Sequence, residues 1–230
     1  MPTLEKGLKR AKVGRMWAYT RRPTEKQPAI TVYEYTPDRK GEHPQGFLKD
    51  FSGYLQADAY AGFDKLFTKD SKDKQKVKEV GCWSHTRRKF VDVVTIDPTS
   101  IAQELITMIQ AMYYIERLIK EAGYSEEQRK WLRRKRTKPI LKKIRQWLKT
   151  HQPRAAPKSR LGQAINYALN HWRALTTFLG DGRLELDTNR VERAIKPIVI
   201  GPAFKLEDTS ATVNLGNFKG EVRIPVKPYP

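Results

Sequence analysis

Aromatic and β-branched residues crowd two short stretches near the start of the chain, Arg15 to Thr20 (RMWAYT) and Ala29 to Tyr35 (AITVYEY). Between them, Arg21 to Pro28 supplies two prolines and mostly polar side chains. This pattern predicts an antiparallel hairpin with a fairly long turn. After Thr36, Pro37 and Asp38, a short helix is expected around Pro44 to Phe51. The apolar run Gly53 to Ala57, ending at Asp58, and a second run from Val77 through Val80 to Trp83 are expected as strands. Phe63, Leu66 and Phe67 stand three and four apart, the spacing of one face of a short helix.

From Pro98 the period lengthens. Ile101, Leu105, Met108, Met112, Ile115 and Ile119 recur every three or four residues and predict a long helix with one buried stripe. Ile140, Leu141, Ile144, Trp147 and Leu148 mark a second helix, which Pro139 is expected to open at its first turn. The PRAAP stretch from Pro153 to Pro157 breaks the pattern. A further helix is expected from Leu161 to Phe178, before the turn at Gly180 to Gly182. Beyond Pro202 the residues show short alternating runs and no helical period.

Charge alters this picture. Lys and Arg total 45 against 25 Asp and Glu, a formal excess of +20 that folding does not require and a polyanionic partner explains. From Gln128 to Gly180 there are 15 Lys or Arg and no acidic residue, so the helical block carries most of the excess. Its cations are expected to face outward and its apolar stripes inward. With one cysteine, Cys82, and four histidines, an intramolecular disulfide or a multi-cysteine zinc site is ruled out. No apolar run approaches the roughly 20 residues of a membrane-spanning helix, and nothing resembles a secretory signal, so a soluble, cytoplasmic protein is expected.

Three features are candidates for chemistry. Asp58 ends a predicted strand, where α/β folds gather ligands, although an aspartate there also caps a following helix. Glu192, in DTNRVER, falls near the start of a predicted helix, where it either ligates or simply stabilises the helix N-terminus. Together the two carboxylates are hard oxygen ligands of the type that share divalent cations in phosphoryl transfer. The third feature is CWSHTRRKF, Cys82 to Phe90. Its His85, Arg87, Arg88 and Lys89 are placed to grip backbone phosphates, and its Cys82, Trp83 and Phe90 suit a core. Arg133, Arg134, Lys135 and Arg136, in the basic block, are candidate phosphate contacts, as is Arg193 beside Glu192.

The segments TPDRKGEHPQGFLKDFSGYLQADAYAGF, GCWSHTRRKF, SRLGQAINYALNHWRALTTFLGDGRLELDTNRVERAIKPIVIG and RMWAYTRR resemble the transposases of the insertion sequence sixty-six family, in the family's order. The resemblance implies an α/β, ribonuclease-H-like core with a DDE triad, interrupted between its second and third acidic residues by a large helical insertion. It matches Asp58 to the second aspartate and Glu192 to the glutamate. These residues are expected to face one another across the end of the sheet and to hold two Mg²⁺ ions. DNA, both transposon ends and target, is the implied partner, with a homo-oligomer or other transposase subunits alongside.

The implied division is residues 1–97 for the first part of the core, 98–180 for the basic insertion, 181–201 for the core helix with the third acidic residue, and 202–230 for a divergent tail. The family's first aspartate stands just upstream of a segment like PTLEKGLKRAKVGRMW. The core is therefore expected to be incomplete at its first strand, and the chain to be an inactive fragment of a DNA-cleaving and strand-transferring enzyme. The alternative is a non-catalytic remnant that binds DNA through the basic insertion. An unrelated basic RNA-binding protein is a third reading, against which the motif order argues.

Overall fold

The computed structural model describes residues 2–3, 12–23, 28–68, 76–200, 210–214 and 219–223. The middle of the expected hairpin turn, residues 24–27, and most of the expected tail lie outside the described residues. Contacts divide the chain into two units, the first comprising Met1–Gly53, Tyr60–Lys78 and Asn189–Pro230, the second Tyr54–Ala59 and Glu79–Thr188. The mixed α/β chain is mainly helical, and every sheet among the described residues has two strands.

In the first unit, β1 (Pro2–Thr3) pairs with β2 (Lys12–Val13), and β3 (Arg15–Arg21) pairs antiparallel with β4 (Ile30–Thr36) from Arg15↔Thr36 to Arg21↔Ile30. This is the hairpin the aromatic pattern predicts. Its side chains pack locally. Tyr19 stacks on Phe47 of α1 (Glu42–Phe47) at 4.1 Å between ring centres, and Trp17 meets Tyr60 and Phe63 edge-on or tilted. Trp17 donates its indole N–H to Thr36 Oγ1 at 2.8 Å, so the half-buried ring leaves no orphan donor. Phe63 lies in a 3₁₀ turn, Ala61–Phe67, at the expected place. Helix α8 (Asn189–Ile200) packs on β3, and Tyr33 donates to the Ala194 carbonyl at 2.7 Å. Within the tail, Ser210–Asn214 and Lys219–Arg223 form an antiparallel pair.

Strands β5 (Gly53–Gln56) and β6 (Val77–Val80) form a further pair. Gly53 N–H bonds to Lys76 O and Ala57 N–H to Val80 O, so the register advances in the same direction on both strands, which marks parallel pairing. The second strand was expected to run on to Trp83. It stops at Val80 because Gly81 turns its N–H to the Ala174 carbonyl instead of to the ladder, and Trp83 opens α2 (Trp83–Ile96).

The second unit is helical: α2, α3 (Ala102–Glu121), α4 (Glu126–Leu132), α5 (Lys138–His151), α6 (Arg160–Asn170) and α7 (Trp172–Thr176). Ser125 and Gln128 close a reciprocal capping box at the start of α4, and Gly123, at φ 64°, ends α3 in the left-handed conformation that glycine takes without strain. Trp83, Phe90, Leu105, Ile109, Met112, Ile144, Leu148, Ile165, Leu175 and Phe178 are all at most 1 % exposed and form the core. The expected stripe on α3 holds at Leu105, Met112 and Ile119, but Ala102, Ile106 and Ile109 are buried too and Ile101 is exposed. Packing against both α2 and α5 widens the buried face beyond one stripe. Because Trp83 and Phe90 belong to this core, residues 54–59 and 79–97 group with the helices rather than with the hairpin.

Pro139 does stand in the first turn of α5, but no break precedes it. A π turn, Arg133–Thr137, joins α4 to α5 without interruption, with Lys138 N–H bonding back to Arg133 O. The wide turn sits just ahead of a proline that has no N–H to continue the regular ladder. No helix among the described residues is long and apolar enough to cross a membrane.

Candidate functional site

Asp58 stands just beyond the C-terminal end of β5, the position its sequence predicts. Gln56 fixes the strand end by donating from Nε2 to Glu185 O at 3.0 Å. The next residue, Ala59, has φ 62°, the only non-glycine positive φ among the described residues. An alanine held in this region is strained, and such strain gathers at sites where geometry matters more than stability. The Asp58 side chain is 40 % exposed, and its backbone carbonyl accepts from Tyr167 OH at 3.4 Å. Burial first, and then the charges of Cys82 and Asp58, push the Tyr167 hydroxyl up to about 12.

One residue of the CWSH stretch, His85, stands beside this aspartate, and Cys82 stands behind it. His85 Nε2 lies 3.9 Å from Asp58 Oδ2, beyond direct hydrogen bonding but within ion-pair range. Its other nitrogen, Nδ1, is 3.1 Å from Cys82 Sγ. Cys82 is 1 % exposed; Thr188 Oγ1 lies 3.2 Å from its sulfur and Thr188 N–H donates to it at 3.4 Å. Burial pushes the Cys82 thiol up, and the hydrogen bonds from His85 and Thr188 outweigh burial, so it lies below the ordinary range. His85 is thus engaged with Cys82 and set beside a carboxylate, whereas Arg88 and Lys89 of the same stretch are exposed and Arg87 is half-buried. Lys89 lies over the Tyr167 ring at 4.5 Å.

Glu192 occupies the first turn of α8, which begins at Asn189 as the DTN segment predicts. It is half-buried and Arg193 is exposed. Asp58 belongs to the second unit and Glu192 to the first. Among the described residues no group of three His, Cys, Asp or Glu side chains gathers as a metal cage.

The basic block divides into an inner and an outer set, which corrects the expectation that its cations face outward. Arg133 is fully buried: Nε and Nη2 bond to Glu116 at 2.6 and 2.9 Å, and Nη1 and Nη2 to the carbonyls of Phe178, Asp181 and Leu184. Arg129 pairs with Glu116 and Glu185 at 2.9 and 3.1 Å. Arg133 is therefore a core residue and is withdrawn from the phosphate-contacting set. Arg134, Lys135 and Arg136 remain exposed, and Lys135 lies over the exposed Trp131 ring at 4.5 Å. Sequence reasoning overlooked Lys138, Lys142, Arg145 and Lys149, all exposed. Their spacings of four, three and four were the available signal, since they align the four on one face of α5. Lys142, Arg145 and Lys149, with Gln146 and Thr150, line a surface hollow of about 400 Å³.

Comparison with known proteins gives a consistent result. A family model described as "Transposase IS66 family" matches residues 1–206. Three curated proteins of Sinorhizobium fredii (strain NBRC 101917 / NGR234) are similar to this chain. Uncharacterized protein y4jD is 33 % identical over 204 residues, covering 87 % of this chain and 40 % of the relative. Uncharacterized protein y4hP is 31 % identical over 203 residues (82 % and 36 %), and uncharacterized protein y4qI 31 % over 205 (87 % and 38 %). The chain thus spans about two fifths of the length of these relatives. No solved structure matches it significantly.

Proposed function

The chain belongs to the IS66 transposase family, and from that membership we propose that it takes part in metal-dependent DNA cleavage and strand transfer, with Asp58 and Glu192 as carboxylate ligands of Mg²⁺ and the helical unit as a DNA-holding surface. The observation that carries this reading is Asp58: a half-exposed carboxylate just past a parallel strand, followed by a strained residue and paired with no lysine or arginine among the described residues. The antiparallel hairpin followed by a parallel strand pair supports a ribonuclease-H-like core.

The donor chemistry fits Mg²⁺. This ion takes oxygen ligands and commonly keeps one or two carboxylates, with water and substrate phosphates completing its shell, so a full protein cage is not required. When bound it would activate water or a DNA 3′-hydroxyl and stabilise the departing oxygen. Asp58 offers a hard oxygen, and Arg88, Lys89 and the outer cations of the basic block supply charge for the DNA backbone.

The test is Mn²⁺ binding together with Mg²⁺-dependent nicking of DNA that carries the element's ends. Asp58→Ala and Glu192→Ala should each weaken cation binding and abolish nicking. Binding of DNA with no nicking under any divalent cation would favour the second reading, a non-catalytic DNA-binding protein. The observation favouring that reading is the row of exposed cations from Arg134 to Lys149, which has no acidic residue among it.

A further inference from the structure

Cys82 is the N-cap residue of α2, and His85 is the third residue of that helix. A serine or aspartate at this place would accept a backbone N–H of the first turn, but the cysteine makes no such side-chain cap. Its sulfur turns instead toward the His85 ring, 3.1 Å from Nδ1, and is held from the other side by Thr188. The ring is thereby fixed with its far nitrogen, Nε2, directed at Asp58 Oδ2, 3.9 Å away.

We infer that Cys82 and His85 act as a positioning pair for Asp58, orienting its carboxylate so that Oδ2 faces the imidazole and Oδ1 is left to a divalent cation. The inference rests on the reading of Asp58 as a cation ligand. Proton placement supports it. If the thiol donates to Nδ1, neutral imidazole carries its proton on Nε2. If the proton has moved from sulfur to Nδ1, the ring next to a carboxylate retains a proton on Nε2 as well, since a bare nitrogen there would set two lone pairs against each other. In both cases, where the thiol proton points to Nδ1 or sits on it, an N–H faces Asp58. A neighbouring group that faces a ligating carboxylate in this way sets its orientation, and losing such support commonly reduces metal affinity about 10-fold or more. Cys82 touches neither cation nor DNA in this scheme and acts only through His85.

Two measurements on the full chain test the pair. The first is the ¹⁵N resonance of His85 Nδ1 at about pH 8, above the ordinary imidazole range. It should carry the shift of a hydrogen-bonded nitrogen in the wild type and in Cys82→Ser, and the shift of an unbonded one in Cys82→Val. The second is Mn²⁺ affinity at the site removed by Asp58→Ala. Cys82→Val and His85→Ala should each weaken it about 10-fold. Cys82→Ser should restore it, and the double variant should be no weaker than His85→Ala alone, the non-additivity expected of residues acting in series. Far-ultraviolet circular dichroism and the fluorescence of buried Trp83 report whether each variant is folded. An Asp58-dependent Mn²⁺ site indifferent to Cys82→Val, or additive losses in the double variant, would overturn the inference. No Asp58-dependent Mn²⁺ binding in the wild type would instead overturn the reading of Asp58 as a ligand, leaving the Nδ1 resonance to decide the Cys82–His85 bond alone.

Discussion

Arg133 and Glu116 meet side-on inside the helical unit, Nε to Oε1 at 2.6 Å and Nη2 to Oε2 at 2.9 Å. The arginine has no exposed surface, and its remaining donors reach three backbone carbonyls. Removing the arginine takes two bonds from Glu116, which keeps only Arg129, and strips the carbonyls of Phe178, Asp181 and Leu184 of this donor. Arg133→Met should therefore destabilise the chain by about 3–5 kcal/mol, read from urea unfolding. Adding Glu116→Leu should not recover the loss, because it takes from Arg129 the carboxylate that both its Nε and Nη2 hold. A loss below about 1 kcal/mol for Arg133→Met would show that the pair is solvated.

The outer cations act in a different quantity, the salt dependence of DNA affinity. Each phosphate neutralised contributes about 0.9 to the slope of log K against log salt. Replacing Lys138, Lys142, Arg145 and Lys149 by glutamine, which keeps helix propensity, should lower the slope by up to about 3.6. Alanine at Arg134, Lys135 and Arg136 should lower it too. An unchanged slope in both variants would place the DNA elsewhere than on α5 and the turn before it.

Ala59 offers a test of strain beside the candidate ligand. At φ 62°, Ala59→Gly should leave stability unchanged or raise it by up to about 1 kcal/mol, and Ala59→Val should lower it by about 1–2 kcal/mol. Thermal unfolding separates the two. If glycine also weakens Mn²⁺ binding, the strained backbone is part of what holds Asp58 in place.

Acid dependence in the first unit should trace partly to Asp38. The Lys40 backbone N–H, then His43, whose Nε2 is 2.7 Å away, hold this surface carboxyl down at about 2. An unfolded aspartate titrates near 3.9, so the folded value is depressed. Its stabilising contribution is complete above about pH 4 and is lost as pH falls through about 2. Asp38→Asn should flatten the acid-unfolding curve in that window and leave it unaltered near neutrality.

Much of the fold could be read from residue patterns because the contacts involved are local. The β3–β4 hairpin, the short turn around Phe63 and helices α3 and α5 each follow from a period of two or 3.6 that neighbouring residues carry, whereas α4 was not expected and the helix expected from Leu161 to Phe178 divides at His171 into α6 and α7. Arg133 could not be read this way. Its partners lie 17, 45, 48 and 51 positions away, and a run of consecutive cations looks solvent-facing when the remote Glu116 is ignored. The end of β6 was hidden for the same reason, since the Ala174 carbonyl that captures Gly81 is distant in sequence. At the candidate site, the position of Asp58 after a strand was legible from the apolar run before it. The Cys82–His85 approach was legible in principle, since N-cap and third helical residue face each other. Thr188 and Tyr167, which complete the surroundings, carry no local signal.

The π turn between α4 and α5 has a consequence for chain length. One additional residue in a helical turn re-phases everything downstream by about 100°. Arg133 can therefore point inward to Glu116 while Lys138, Lys142, Arg145 and Lys149 point to solvent along the same unbroken rod. Deleting a single residue between Leu132 and Lys138 would rotate α5 by more than a quarter turn and carry its cations toward the places of Leu141 and Ile144. The interval from Ser125 to Pro139 is thus a dimension of the fold, one that is counted in residues and indifferent to most of the side chains that fill it.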